Sequence, residues 1–197
     1  MSATTAWSWR LASVCTVAVA GLVTSALPAQ AASVPAGGLT ALVGLSAERI
    51  LLADKVAAAK FGTTAPIEDP VREQQVLDQA AALAVQAGID PVDTVEFFRA
   101  QIESSKVVQR GLFDLWTRRP ELAPTERPDL ATEVRPELDR ITVQFIGELA
   151  ASESLRGPTP RCVVSLVVAG TKAERQYRLD RLHERALRGA VTPVCAR

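Results

Sequence analysis

The sequence predicts an all-α protein: a single helical domain with a C-terminal helical extension, preceded by a cleaved signal peptide. Three observations predict it. Two Asp-Pro pairs, Asp69-Pro70 and Asp90-Pro91, read as an N-cap followed by proline at the first helical position. Each opens a stretch rich in helix formers, and residues 39–61 form another such stretch with Gly44 as the only glycine or proline. Nearly half of the 197 residues are apolar, enough to build one core of ordinary domain size.

Charge and composition exclude several functions. The chain carries 22 Lys+Arg against 22 Asp+Glu, without the basic stripe that nucleic acid requires. One His and three Cys supply too few ligands for a zinc site of the usual kind, so no metal is expected.

Residues 1–31 read as a signal peptide. Arg10 is the only charge before Glu48, and small and apolar residues run from Leu11 to Leu27. Ala29-Gln30-Ala31 then supplies a small-x-small pattern, with cleavage after Ala31. The run is shorter and richer in Ala, Ser and Thr than the roughly 20 strongly apolar residues of a membrane span, so no stable anchor is expected. Cys15, inside the run, is a poor lipoprotein site. Export to the periplasm or the medium follows. Two cysteines then remain, Cys162 and Cys195, and an exported chain with two cysteines most simply closes one disulfide.

The elements follow in order. Residues 32–38 form a loose leader to the domain at 39–197. The first helix runs from Leu39 to about Phe61, with Gly62 to Ile67 as a loop. The second runs from Pro70 to about Ala87 and stops at Gly88, a suitable residue just past a helix end. The third starts after Asp90, has Asp93 in its first turn and runs to about Trp116. Pro120, Pro124 and Pro128 make 117–128 a loop. A fourth helix resumes between Asp129 and Pro136 and continues to about Ser152, with Pro136 either in its first turn or at a kink. The extension starts at about 153. Val163 to Val168 has the periodicity of either strand or buried helix and, among so many helices, is read as helix. Thr171 to Leu187 is read as one charged helix.

Polar residues on apolar helices are the candidates for function. Arg49 and Lys60 are eleven residues apart, a rotation of ~1100° that returns both to one face, ~16 Å apart along the axis. Ala53, Val56 and Ala57 lie between them and leave room over which two cationic arms can converge. The same spacing also describes a solvated face with two unrelated cations. Ser105 and Gln109 are one turn apart on the third helix, with Gln101 a turn earlier, among Phe97, Phe98, Ile102, Val108 and Leu112. Such a stripe needs hydrogen-bond partners, from a ligand or from other helices. Glu73 suits the start of the second helix and Arg72 does not, which points Arg72 toward another purpose. Asp69 by itself is most simply a cap. Together these groups describe a pocket for a small dianion bearing a hydroxyl and an uncharged acceptor. His183, in the charged C-terminal helix, reads as a packing or surface residue. No nucleophile–base pair supports a hydrolase.

These residues, in this order, resemble a known family. Ala47-Glu48-Arg49, Lys60, the run Pro66-Ile67-Glu68-Asp69-Pro70-Val71-Arg72-Glu73, and Gln101-Ile102 with Ser105 and Gln109 look like the all-helical (AroQ-type) chorismate mutases. The signal peptide, the Pro-rich loop and the cysteine pair in a C-terminal extension are similar to the secreted (gamma) subclass. The resemblance covers about 39–142 well and the extension more loosely.

The resemblance implies an isomerase that rearranges chorismate to prephenate without any cofactor, and a homodimer. It implies that Arg49 and Arg72 bind substrate carboxylates, and that Lys60 donates to the ether oxygen and touches a carboxylate. Gln109 becomes the second donor to that oxygen. Ser105 supports a carboxylate, Glu73 accepts from the ring hydroxyl, and Asp69 holds the helix start. An Arg after the Pro-rich loop completes the pocket within one chain, with Arg135 the best match and Arg140 within reach along the helix. Some secreted members carry Glu where this chain has Gln109. Glu must be protonated to donate, whereas Gln donates at any pH, so a flat activity profile through neutral pH is expected.

Overall fold

A computed structural model describes residues 38–196. The signal peptide, its cleavage site and leader residues 32–37 lie outside the described residues. Among the described residues there is no strand, and six α-helices make one bundle: α1 (Thr40–Lys60), α2 (Pro70–Ala87), α3 (Pro91–Arg118), α4 (Arg135–Ala151), α5 (Pro160–Gln176) and α6 (Arg181–Val191).

Local chemistry accounts for most helix ends. Asp69 accepts the backbone N–H of Arg72 at 3.1 Å, and Asp90 accepts those of Val92 and Asp93 at 2.7 and 3.1 Å, each ahead of proline in the first turn. Gly88 closes α2 at φ +71°, a left-handed conformation that glycine adopts without steric cost. The question posed by Pro136 resolves in favour of the first turn of α4. A π-helical turn, Leu130–Val134, leads into it, and Arg135 N–H reaches back to the carbonyl of Leu130. The wider turn shifts the hydrogen-bond register just where Pro136 lacks an N–H.

Packing sets the order of the layers. α1 lies against α3, α4, α5 and α6, and α2 lies against α3 and α4. Buried Ala47 and Ala53 let neighbours approach α1 closely, and Phe97, Phe98 and Phe145 meet edge to face, with centroids 5.0–5.8 Å apart, where α3 faces α4. At the other end of α1, Phe61 stacks edge-on against Phe113 and Trp116, both at 5.2 Å. That contact pins the end of α1, and with it Lys60, onto α3.

The extension departs from expectation in one place. Residues 163–168 are helical, but the single charged helix over Thr171–Leu187 is two helices. α5 ends at Gln176, Arg178 takes φ +51°, and Asp180 caps α6 by accepting from Leu182 N–H and His183 N–H at 2.9 and 3.0 Å. A continuous helix would carry one of these segments off the bundle. The reversal lets both α5 and α6 pack on α1. Cys162 at the start of α5 and Cys195 after α6 form a disulfide that ties the two ends of the extension together.

Candidate active site

One cavity, between α1, α2, α3, the π-helical turn and α4, collects every expected pocket residue: Arg49, Lys60, Asp69, Arg72, Glu73, Ser105, Gln109 and Arg135. Of the small residues on the intervening face of α1, only Val56 reaches it. Ala53 and Ala57 are fully buried in the packing of the helix.

Arg49 is the deepest cation. Its side chain is 6% exposed, and Nε and Nη1 are buried without a hydrogen-bond partner among the described residues. Burial brings its pKa down to about 10, with Asp139 opposing the shift and Arg72 adding to it. A guanidinium desolvated in this way, with free donors, calls for an anion.

Lys60, the last residue of α1, also lines the cavity. Its Nζ donates to the carbonyls of Pro66 and Ile67 at 2.8 and 3.2 Å, holding the loop before α2, and one donor remains. Desolvation holds its pKa below the ordinary lysine value, against the pull of Asp69, Glu68 and Glu73. The start of α2 is a reciprocal cap. Asp69 accepts from Arg72 N–H, and Glu73 Oε1 returns to accept from Asp69 N–H at 3.1 Å. The cap turns Arg72 toward α4, where Nη2 lies 3.7 Å from Asp139 Oδ1.

On α3, Gln109 is 4% exposed and its Nε2 donates to Ser105 Oγ at 3.3 Å, which leaves a second amide N–H and the serine hydroxyl proton to use. Gln101 does not join this stripe. Its Nε2 donates to Ser46 Oγ and Ala190 O, both at 3.1 Å, knitting α3 to α1 and α6.

Arg135 lines the cavity from its exposed side. Arg140 does not line it. It is bound to Glu137, Gln144 and Glu48 at 2.9, 2.7 and 3.4 Å. His183 is also elsewhere, buried between Asp180 and Asp54 on α6 and α1.

Two charged residues of the cavity were not singled out from sequence, Lys106 and Asp139. A lysine beside Ser105 on a helix flanked by Phe98 and Ile102 was the available signal for the first. Asp139 had none, because its partner is 67 positions away. Among the described residues the lining then holds five cations and three carboxylates, a surplus of two positive charges suited to a dianion.

Known proteins are similar to this chain in sequence and architecture. A family model described as Chorismate mutase type II matches residues 40–110. The Secreted chorismate mutase of Mycobacterium tuberculosis is 31% identical over 157 residues, 80% of this chain and 78% of that protein. The Secreted chorismate mutase of Mycolicibacterium smegmatis is 39% identical over 115 residues, 58% of this chain and 61% of that protein. The crystal structure of chorismate mutase from Burkholderia phymatum matches with a TM-score of 0.76 and 35% identity, over 81% of this chain and 97% of that one.

Proposed function

Because this chain belongs to the type II chorismate mutase family, we propose that it is an exported chorismate mutase, an isomerase that converts chorismate to prephenate. The observation that carries this reading is Arg49, a buried guanidinium with two donor nitrogens unpartnered among the described residues, in a cavity with a surplus of two positive charges. Chorismate offers the matching chemistry, with two carboxylates, a ring hydroxyl and an ether oxygen.

The reaction is an intramolecular Claisen rearrangement. The ether C–O bond to the ring breaks as a C–C bond forms between the side-chain methylene and the ring. No proton, electron or atom leaves the molecule. The protein must fold the side chain over the ring and stabilise negative charge building on the ether oxygen.

Arg49 and Arg72 grip the carboxylates, bidentately where geometry allows. Ser105 Oγ–H supports a carboxylate while accepting from Gln109. The remaining N–H of Gln109 and the remaining donor of Lys60 converge on the ether oxygen. Glu73 accepts from the ring hydroxyl, Asp69 holds the start of α2, and Arg135 closes the pocket over a carboxylate. These donors are held before substrate arrives, so little reorganisation accompanies the reaction.

The relatives named as secreted, the Ala29-Gln30-Ala31 pattern and the disulfide support export with cleavage after Ala31. The homodimer expected from the family is part of the same reading, checked by light scattering in solution.

The decisive test expresses residues 32–197 under oxidising conditions and follows the loss of chorismate's ultraviolet absorbance at neutral pH, with Lys60→Ala as control. Turnover that disappears in the control supports the reading. No turnover from a folded helical protein overturns it.

A further inference from the structure

Glu73 stands in a difficult position for an enzyme that binds a dianion. It puts a carboxylate into the wall of the pocket, and its Oε1 is occupied with Asp69 N–H at 3.1 Å. The other oxygen, Oε2, accepts from Lys106 Nζ at 3.1 Å, across the seam between α2 and α3. Lys106 is 8% exposed and lines the cavity one residue after Ser105. It is held in turn by Glu103 Oε1 at 2.7 Å from the solvent side. Desolvation opposes the charge on Lys106, but its bonds to Glu103 and Glu73 outweigh burial and hold its pKa above the ordinary lysine value.

We propose that Lys106 is the positioning residue for Glu73: it fixes the second carboxylate oxygen and neutralises its charge, so that Glu73 receives a substrate hydroxyl without repelling the substrate's carboxylates. The inference rests on the chorismate reading above and adds a residue to it.

The geometry explains why two donors are needed. With Asp69 N–H alone, the Glu73 carboxylate keeps one fixed oxygen and one free to swing, and a full negative charge. With Lys106, both oxygens are held by donors from different helices. Each oxygen keeps further lone-pair capacity with which to accept from a hydroxyl. Lys106 acts through Glu73, the cavity carboxylate that its Nζ contacts, while Glu103 holds the ammonium from the other side.

Steady-state kinetics on the purified exported form, with circular dichroism to verify folding, separate this role from others. Lys106→Met leaves an uncompensated carboxylate against the dianion, which penalises ground and transition states alike. KM should therefore rise ten-fold or more, with kcat changed less than about three-fold. Comparing Glu73→Gln with the double variant Lys106→Met/Glu73→Gln asks the same question without an unpaired buried charge. Loss of Lys106 should then change kcat and KM by less than about three-fold. A ten-fold loss in that second comparison overturns the proposal, since Lys106 would then touch substrate itself. An unaltered KM in folded Lys106→Met overturns it too. Failure of the wild type to turn over chorismate is a separate outcome, which removes the functional reading and this proposal with it.

Discussion

His183 Nε2 lies 2.8 Å from Asp54 Oδ1, so the chain's only imidazole joins α6 to α1 across 129 positions of sequence. Its Nδ1 lies 2.7 Å from Asp180, the residue that caps its own helix. The hydrogen bond to Asp54 outweighs burial, and with Asp180 it raises the His183 pKa from 6.5 to about 9. His183 therefore ties two helices together and does not line the cavity.

Stability should follow that titration. The folded value lies above the unfolded one, so the contribution is complete below about pH 6.5 and is lost as pH rises through about 9. Allowing for solvent screening at the half-exposed Asp54, it amounts to roughly 2 kcal/mol. Urea unfolding at pH 6 and pH 9.5 should show this difference, and His183→Gln should abolish it. Equal stability at the two pH values in the wild type would count against the bridge.

Activity should follow a different rule. Gln109 donates without titrating, so kcat/KM should stay flat between pH 5 and pH 8. Gln109→Glu should confine activity to acid, where the carboxyl is protonated and can donate. Gln109→Ala should lose roughly 100-fold or more in kcat, the effect of removing one donor to developing charge. A steep wild-type decline between pH 5 and pH 8 contradicts this assignment.

Arg49 should trade stability for activity. Lysine cannot reproduce the guanidinium fork, and Arg49→Lys should lower kcat/KM about 100-fold. Arg49→Met should be inactive yet melt several degrees higher, because it replaces a desolvated charge that has two unsatisfied donors with an apolar side chain. A lower melting temperature for folded Arg49→Met would show that the cation stabilises the bundle.

The disulfide should be worth measuring alone. Cys162 and Cys195 are 33 positions apart, and closing such a loop removes about 3–4 kcal/mol of entropy from the unfolded chain. The double Cys→Ala variant should lose about that much stability in urea while keeping wild-type KM, since neither cysteine lines the cavity. A large change in KM would tie the extension to the pocket.

Much of this protein is readable one residue after another. Asp69-Pro70, Gly88 and Asp90-Pro91 set three helix ends through contacts that span a few positions, so the same signals operate in any context. Ser105 and Gln109 share a face because the helix repeat dictates it. The family order of Arg49, Lys60, Arg72, Glu73 and Gln109 pointed to one pocket, and one cavity contains them all.

Other features were settled only when helices met. Arg135 is the better match by sequence with Arg140 within reach along the helix, and only the packed bundle separates them: Arg135 lines the cavity, while Glu137, Gln144 and Glu48 hold Arg140 away from it. Gln101 shares its stripe with Ser105 until packing aims it at Ser46 and Ala190. The break between α5 and α6 lies in a segment whose propensities permit a helix throughout, and docking onto α1 requires the reversal. Lys106 was not singled out in the sequence, and its partner is visible only where packing of α2 on α3 brings Glu73 to 3.1 Å. Caps and helical faces arise from short-range hydrogen bonds and a fixed repeat. The direction of a long side chain depends on which distant group satisfies it, and only the packed bundle supplies that partner.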